Sequence, residues 1–329
     1  MPIRQKGQVL AAQFIPQVLA NAATTFVDSL KLSSVSEKVR RGRQVVLKHR
    51  QIYGDQLADL ANLYFRMSNI PIRFWSKAED WRRWEVKCFH MLNGDRFRVY
   101  PSGAKTVCTD KLPGENLWEH MNRRALTRPM LQAAGRELFR AHQLWSDEFG
   151  SRWSHGDATM TNVIYNEKTG RARLIDFEIV HHKSLPATAR HADDLLVFLL
   201  DILAIAPSRK WLPFALCFLN AHGDADVIAE LKKQLAVPNG LAWIWWGVRT
   251  SFAKPTKVKQ RLAKLRNAID QLALYRATPT KRARQSRRAS ISCQEMSPGM
   301  PRASSRTLAI SDRAKAASPG MPRRLPTKR

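Results

Sequence analysis

Between Ser154 and Glu178 the chain reads SHGDATMTNVIYNEKTGRARLIDFE, and three side chains in this stretch have types and spacing suited to one reaction. Asp157 stands five residues before Asn162, and Asp176 follows a strand-like ARLI run. Phosphoryl transfer from a nucleotide asks little covalent chemistry of a protein. It needs a carboxylate at the acceptor hydroxyl and oxygen ligands that hold magnesium against the phosphates. Asp157 is the candidate for the first task, accepting or orienting the hydroxyl proton. Asn162 offers a neutral oxygen and Asp176 a charged one, which suits a hard cation that keeps several waters and also binds phosphate oxygens. NVIY and ARLI read as a hairpin that delivers Asp176 to the loop carrying the other two.

Taken together, the pattern resembles the protein-kinase-like phosphotransferases, whose signature is HRDLxxxN followed by DFG. Here the frame carries HGD, the asparagine at the same offset, and DFE. Those variants are similar to the small-molecule branch (aminoglycoside and choline/ethanolamine kinases) and to the bacterial lipopolysaccharide kinases that act on Kdo or heptose, more than to protein kinases proper. The resemblance implies ATP and Mg2+ as cofactors, Asp157 as the catalytic carboxylate, and Asn162 and Asp176 as metal ligands. It also implies a strand lysine that contacts phosphates and pairs with a helix glutamate. Lys48 in QVVLKHR is placed for the lysine and Glu85 for its partner, with Glu79 as the rival. His155 is expected to pack and hydrogen-bond below the loop, and Asp193 or Asp194, opening an apolar helix, to support the loop backbone. Gly156 stands where the signature has arginine, which removes the anchor of a phosphorylated activation loop. Glu178 replaces the glycine of DFG, so the hinge for flipping Phe177 is gone. Support of the metal or of a cationic substrate, and a structural hydrogen bond, both stay open for Glu178. Gly42 is the only glycine between Gly7 and Gly54, so a GxGxxG loop cannot form and other backbone amides must cradle the phosphates.

The elements that must position these residues follow from patterning. Residues 8–30 read as short amphipathic helices broken near Pro16. Gln13, Pro16 and Gln17 interrupt what would be the apolar core of a secretory signal. From Val35 a hairpin turns at Arg41 and Gly42 and returns through Lys48. Leu57, Leu60, Ala61, Leu63 and Tyr64 have helical spacing over 54–68, and a second helix over 77–92 gathers Trp81, Trp84 and Cys88 on one face with Glu85 on its flank. FRVYP and KTVCTDKL make another hairpin, and a helix starts at Asn116. By the resemblance, 109–112 form the lobe hinge that offers backbone groups to adenine. A strong helix over 129–149 precedes the loop, and LLVFLLDILAIA after Asp194 fits a buried one. The tryptophan-rich LAWIWWGV and basic KPTKVKQRLAKLR that follow read as lobe packing or as a membrane-surface contact.

The 329 residues suffice for one large or two modest domains, and the expected class is α+β: a bilobal protein-kinase-like fold with a small mixed N-lobe and a mainly helical C-lobe. The expected boundaries are 1–112 for the N-lobe, 113–274 for the C-lobe and 275–329 for a disordered basic tail, in which SPGMPR occurs twice. Net charge is +28, of which roughly +12 lies beyond Tyr275. Such a surface suits anionic partners: nucleotide phosphates, an anionic membrane face, or polyanions held by the tail. Cys88, Cys108, Cys217 and Cys293 show neither metal spacing nor a disulfide framework. No apolar run is long enough for a membrane span. Expected partners are ATP and a small-molecule or lipid-linked sugar acceptor, in the cytoplasm or at the inner membrane face.

Overall fold

A tight hairpin opens the described part of the chain. Strands β1 (Ser33–Arg40) and β2 (Arg43–Arg50) are joined by Arg41 and Gly42, both at positive φ (50° and 73°), the turn that matches the twist of antiparallel strands. The period-two alternation of β2 sends Val45 and Leu47 into a small cluster with Cys108 and leaves Val46 and Lys48 to line a cleft on the other face. Strands β4 (Val99–Pro101) and β5 (Thr106–Asp110) complete an antiparallel sheet of order β1-β2-β5-β4. The computed structural model describes residues 32–251 and 253–277. The expected helices over 8–30 and residues 278–329 of the expected basic tail lie outside the described residues, whereas 275–277, expected to open that tail, are the last residues of a helix.

Helix α1 (Gly54–Met67) corrects the expected stripe. Its buried face is Gly54, Ala58, Ala61 and Phe65, whereas Leu60 is 50% exposed and Leu63 46%. Small Ala58 and Ala61 let the helix approach closely, and Phe65 then packs on Phe74 and, edge-on at 5.0 Å, on Trp245. Helix α2 (Ala78–Asn93) buries Trp81, Trp84, Glu85, Cys88, Phe89 and Leu92. Between these helices, β3 (Ile72–Phe74) pairs with β11 (Ile179–His181), so the strand leaving Asp176 is fastened to the N-terminal part of the chain.

A second sheet has the order β10-β9-β6, built from β6 (Glu115–Asn116), β9 (Val163–Asn166) and β10 (Arg171–Leu174). The Asn116 side chain caps α3 (Leu117–Asn122) through the Glu119 N–H. Helix α4 (Arg128–His142) leads into the short hairpin β7 (Trp145–Ser146) and β8 (Ser151–Arg152). Helix α5 (Ala187–Ile205) is buried over nearly its whole circumference, as LLVFLLDILAIA requires. Around it stand α6 (Trp211–His222), α7 (Ala225–Gln234), α8 (Ala242–Arg249) and α9 (Pro255–Ala277), with Phe198 and Phe218 stacked 4.0 Å apart in the core. The result is a mixed α/β molecule with small antiparallel sheets, about half helical over the described residues. Among those residues no helix is long and apolar enough to cross a membrane.

Candidate active site

Lys48 projects from β2 into a group of three carboxylates. Its Nζ lies 2.6 Å from Asp176 Oδ1, 3.2 Å from Glu85 Oε1 and 3.2 Å from Glu178 Oε1. Burial works against the ammonium, but Asp176, Glu178 and Glu85 outweigh it and hold its pKa well above the usual lysine value. Burial pushes the Glu85 carboxyl up to about 7 against the pull of Lys48. Glu85 Oε2 also accepts the Phe177 N–H, at 3.1 Å, tying α2 to the residue after Asp176. Glu79 sits elsewhere, on the exposed side of α2 in an i,i+4 pair with Arg83. Asp176 has φ +64° and a side chain 42% exposed, turned out of the strand path toward the cleft.

The loop carrying Asp157 is fastened from below at several points. Asp194 of α5, fully buried, accepts the His155 N–H and the Gly156 N–H, each at 2.8 Å, and His142 Nε2 at 3.0 Å. Burial opposes its charge, yet the His142 hydrogen bond and the neighbouring imidazoles hold its carboxyl far below the usual range. Asp193 lies beside it and pairs instead with His181 at 3.1 Å and with Arg249. His155 Nε2 faces the Ile175 carbonyl at 3.0 Å while its Nδ1 accepts the Asp157 N–H at 3.3 Å, a pattern served by a neutral ring. Burial accordingly lowers its pKa. Further along, Asp201 accepts the Met160 N–H at 2.7 Å. Gly156 has φ +88°, and a Cβ there would stand 2.4 Å from the Ile179 carbonyl oxygen, so the loop and β11 touch only because the residue is glycine.

Asn162 donates from Nδ2 to the Asp157 carbonyl at 2.8 Å and to Asp157 Oδ2 at 3.2 Å. Its Oδ1 is therefore the atom a cation would take. Its own carbonyl accepts the Ile175 N–H at 3.0 Å, which brings Asp176 beside it. Burial pushes the Asp157 carboxyl up to about 7, partly offset by Arg249 and reinforced by Asp176, Asp193 and Asp194.

Two joined depressions meet at Lys48 and Asp176. One, of about 590 Å³, runs between the four-stranded sheet and Ile164 and Ile175, with Thr109, Leu112 and Gly114 along its side. The other, of about 570 Å³, reaches Asp157 and Glu178. Residues 32–35, at the start of β1, line this second part, whereas the turn at Arg41 and Gly42 is at the far end of the hairpin, where β2 begins and Gln44 meets Lys111. Hard oxygen donors from Asp176 and Asn162 fit magnesium, which takes a few protein oxygens and completes its shell with water and phosphate. Among the described residues no group of three His, Cys, Asp or Glu is arranged as an all-protein metal cage.

No protein-family model and no curated protein matches the sequence. Among solved structures, the Mycobacterium tuberculosis Rv3197–erythromycin complex is similar at 17% identity and TM-score 0.32, over 56% of this chain and 51% of that one. This chain thus spans about half the length of that protein. Plasmodium vivax ethanolamine kinase is similar at 9% identity and TM-score 0.36, over 72% of this chain and 79% of that one.

The site also contains residues that patterning passed over. Arg249 and Asp201 reach the loop directly and His142 supports it through Asp194, and neither Arg249 nor His142 has a neighbour in sequence that announces it. Asp201 did carry a signal: it is the single charge within LLVFLLDILAIA, and a buried carboxylate needs a donor.

Proposed function

We propose that the chain is a magnesium-dependent phosphotransferase that moves the γ-phosphoryl group of ATP to a hydroxyl of a small molecule, on a bilobal protein-kinase-like frame divided near residue 112. The observation that supports it best is one cleft holding Lys48 in ion pairs with Glu85 and Asp176, and Asp157 hydrogen-bonded to Asn162 beside them. On this reading Lys48 would hold the phosphate oxygens of the nucleotide, and Asp176 and Asn162 would supply oxygens to the metal. Magnesium, when bound, supplies positive charge against the phosphates. Glu85 keeps Lys48 on the cleft axis. Asp157 orients the acceptor hydroxyl and receives its proton, a task suited by a carboxyl near pKa 7.

The acceptor we propose is a sugar or related polyol, with lipopolysaccharide-core and lipid-linked sugars within the class. Ser33, Ser34 and Gln51 beside Asp157 offer hydroxyl and amide groups, and Phe74 an aromatic surface, a lining that suits such a ligand. A cytoplasmic setting, where ATP is available, goes with this reading. The test measures magnesium-dependent ATP binding and turnover for the wild type, Asp157→Ala and Asp176→Ala, against sugars, lipopolysaccharide cores, choline and protein substrates. Both variants are expected to lose turnover by at least 10²-fold, and Asp157→Ala to keep nucleotide affinity. Phosphorylation of proteins alone would overturn the acceptor class. Absence of magnesium-dependent ATP binding would overturn the enzyme in favour of a non-catalytic scaffold.

A further inference from the structure

Arg249 is the last residue of α8, and its side chain, 9% exposed, reaches into the catalytic loop. One guanidinium nitrogen donates to Asp193 Oδ1 at 3.2 Å. The other donates to Asp193 Oδ2 at 3.3 Å and to the Gly156 carbonyl at 3.1 Å. That carbonyl belongs to the same rigid peptide plane as the Asp157 N–H, which goes to His155 Nδ1. The plane immediately before the Asp157 Cα is thus gripped on one edge by Arg249 and on the other by His155. The preceding plane is gripped by Asp194 through the Gly156 N–H.

The grip matters because Gly156 has the widest backbone freedom of any residue type and sits at φ +88°, so nothing in its own side chain fixes the direction in which Asp157 leaves. Asp157 also stands among Asp176, Asp193 and Asp194, and Arg249 is a cation against that group. The arginine is itself held from behind. Trp245, one turn earlier, has its ring 5.5 Å from the guanidinium, packs edge-on against Phe65, and donates its backbone N–H to Tyr64 Oη at 3.1 Å. Tyr64 Oη in turn donates to the Leu241 carbonyl at 2.7 Å. Helix α1 therefore braces α8, and α8 braces the loop.

We propose that Arg249 is a positioning residue for the transfer reaction: by holding the Gly156–Asp157 peptide and Asp193 at once, it fixes the direction of the Asp157 carboxylate toward the acceptor. The inference rests on the phosphotransferase reading for its kinetic consequence and on the hydrogen bonds alone for its structural one. A planar fork is needed to reach a carboxylate and a carbonyl together, so lysine is a poor substitute.

The test uses the full-length protein with Arg249→Met, Arg249→Lys and Arg249→Ala. Turnover of Mg-ATP is followed without acceptor and with the acceptor panel, and amide hydrogen exchange is followed over 153–160 and elsewhere. Arg249→Met is expected to lower kcat by about 10²-fold, the scale of an ångström misplacement of a reacting group, with KM for Mg-ATP within about threefold of wild type. Arg249→Lys should recover less than a tenth of the loss, and added guanidinium should restore part of kcat to Arg249→Ala. Exchange should quicken over 153–160 and stay as in the wild type elsewhere. Wild-type kcat together with wild-type exchange in the Met variant would overturn the proposal. So would a uniform rise in exchange with a lowered melting temperature, which would make the arginine a general prop. If the wild type fails to turn over Mg-ATP while exchange in the Met variant quickens locally, the phosphotransferase reading falls and the clamp stands.

Discussion

Replacing Asp194 removes the anchor on which most of the loop depends. Its carboxylate is 0% exposed and accepts three hydrogen bonds, two from loop amides at 2.8 Å and one from His142 at 3.0 Å. In Asp194→Ala those three donors lose their acceptor in a place water does not reach. At about 1–3 kcal/mol for each stranded donor, the expected loss is roughly 3–9 kcal/mol, comparable to the whole stability of an ordinary domain. Asp194→Asn keeps the shape but sets an NH2 group against at least one donor, for a loss of about 2–3 kcal/mol. Urea unfolding at pH 7 measures both, with an unchanged m-value as the sign that the folded states remain comparable. The pH dependence carries a second check. Burial would raise this carboxyl, but its hydrogen bonds hold it far below the usual range. Its contribution is therefore present above the unfolded pKa, near 4, and is lost as pH falls toward the folded one. The difference between wild type and Asp194→Asn should accordingly narrow below about pH 4. An alanine variant within about 1 kcal/mol of wild type at pH 7, or a difference that stays constant from pH 7 to 3, would refute the reasoning.

Gly156→Ala should cost more than about 2 kcal/mol, because φ +88° and a Cβ 2.4 Å from the Ile179 oxygen cannot both be met; a melting temperature equal to wild type counts against it. Glu85→Gln should weaken Mg-ATP turnover while Glu79→Ala leaves it unchanged, since of these two glutamates Glu85 reaches Lys48 and Glu79 pairs with Arg83; steady-state kinetics on the pair decide, and equal effects would contradict the assignment. Burial pushes Asp201 up to about 7, so the folded state holds a proton that the unfolded chain releases, and stability drains away as pH rises from about 4 to 7. Asp201→Asn retains an acceptor for the Met160 N–H and should flatten that decline, gaining up to about 4 kcal/mol on wild type across the window; parallel curves from pH 4 to 8 would be the contrary result.

Local patterning located much of this arrangement. The hairpin turning at Arg41 and Gly42, the helix around Trp81 and Trp84, and the buried run after Asp194 each follow from residues close in sequence. The spacing from Asp157 to Asp176 also put the loop and its hairpin side by side. What stayed hidden depends on partners far away. The apolar stripe of α1 is misread from sequence because leucines at helical spacing outrank alanines in hydrophobicity, while the neighbouring Phe74 and Trp245 favour the face with small residues. Arg249 is invisible for the same reason: WIWWGVR looks like an aromatic patch beside a basic helix until folding sets Trp246 in the core and Trp245 on Phe65. Gly156 read as a missing arginine, whereas its need for positive φ and for contact with Ile179 appears only once β11 is in place.

The pairing of β3 with β11 has a consequence for how the chain comes into being. Phe74 must wait for Ile179, about a hundred residues later, before its strand has a partner. At ordinary rates of synthesis that is roughly 5–20 s, plus the time for the ribosome tunnel to clear. Through that interval the nascent chain carries an open strand edge that includes Ile72, together with Phe65 of the same apolar cluster, the kind of surface that chaperones cover and that seeds aggregation. The protein should therefore be sensitive to translation speed between these two points, and synonymous codon changes there should alter soluble yield while leaving the purified molecule the same.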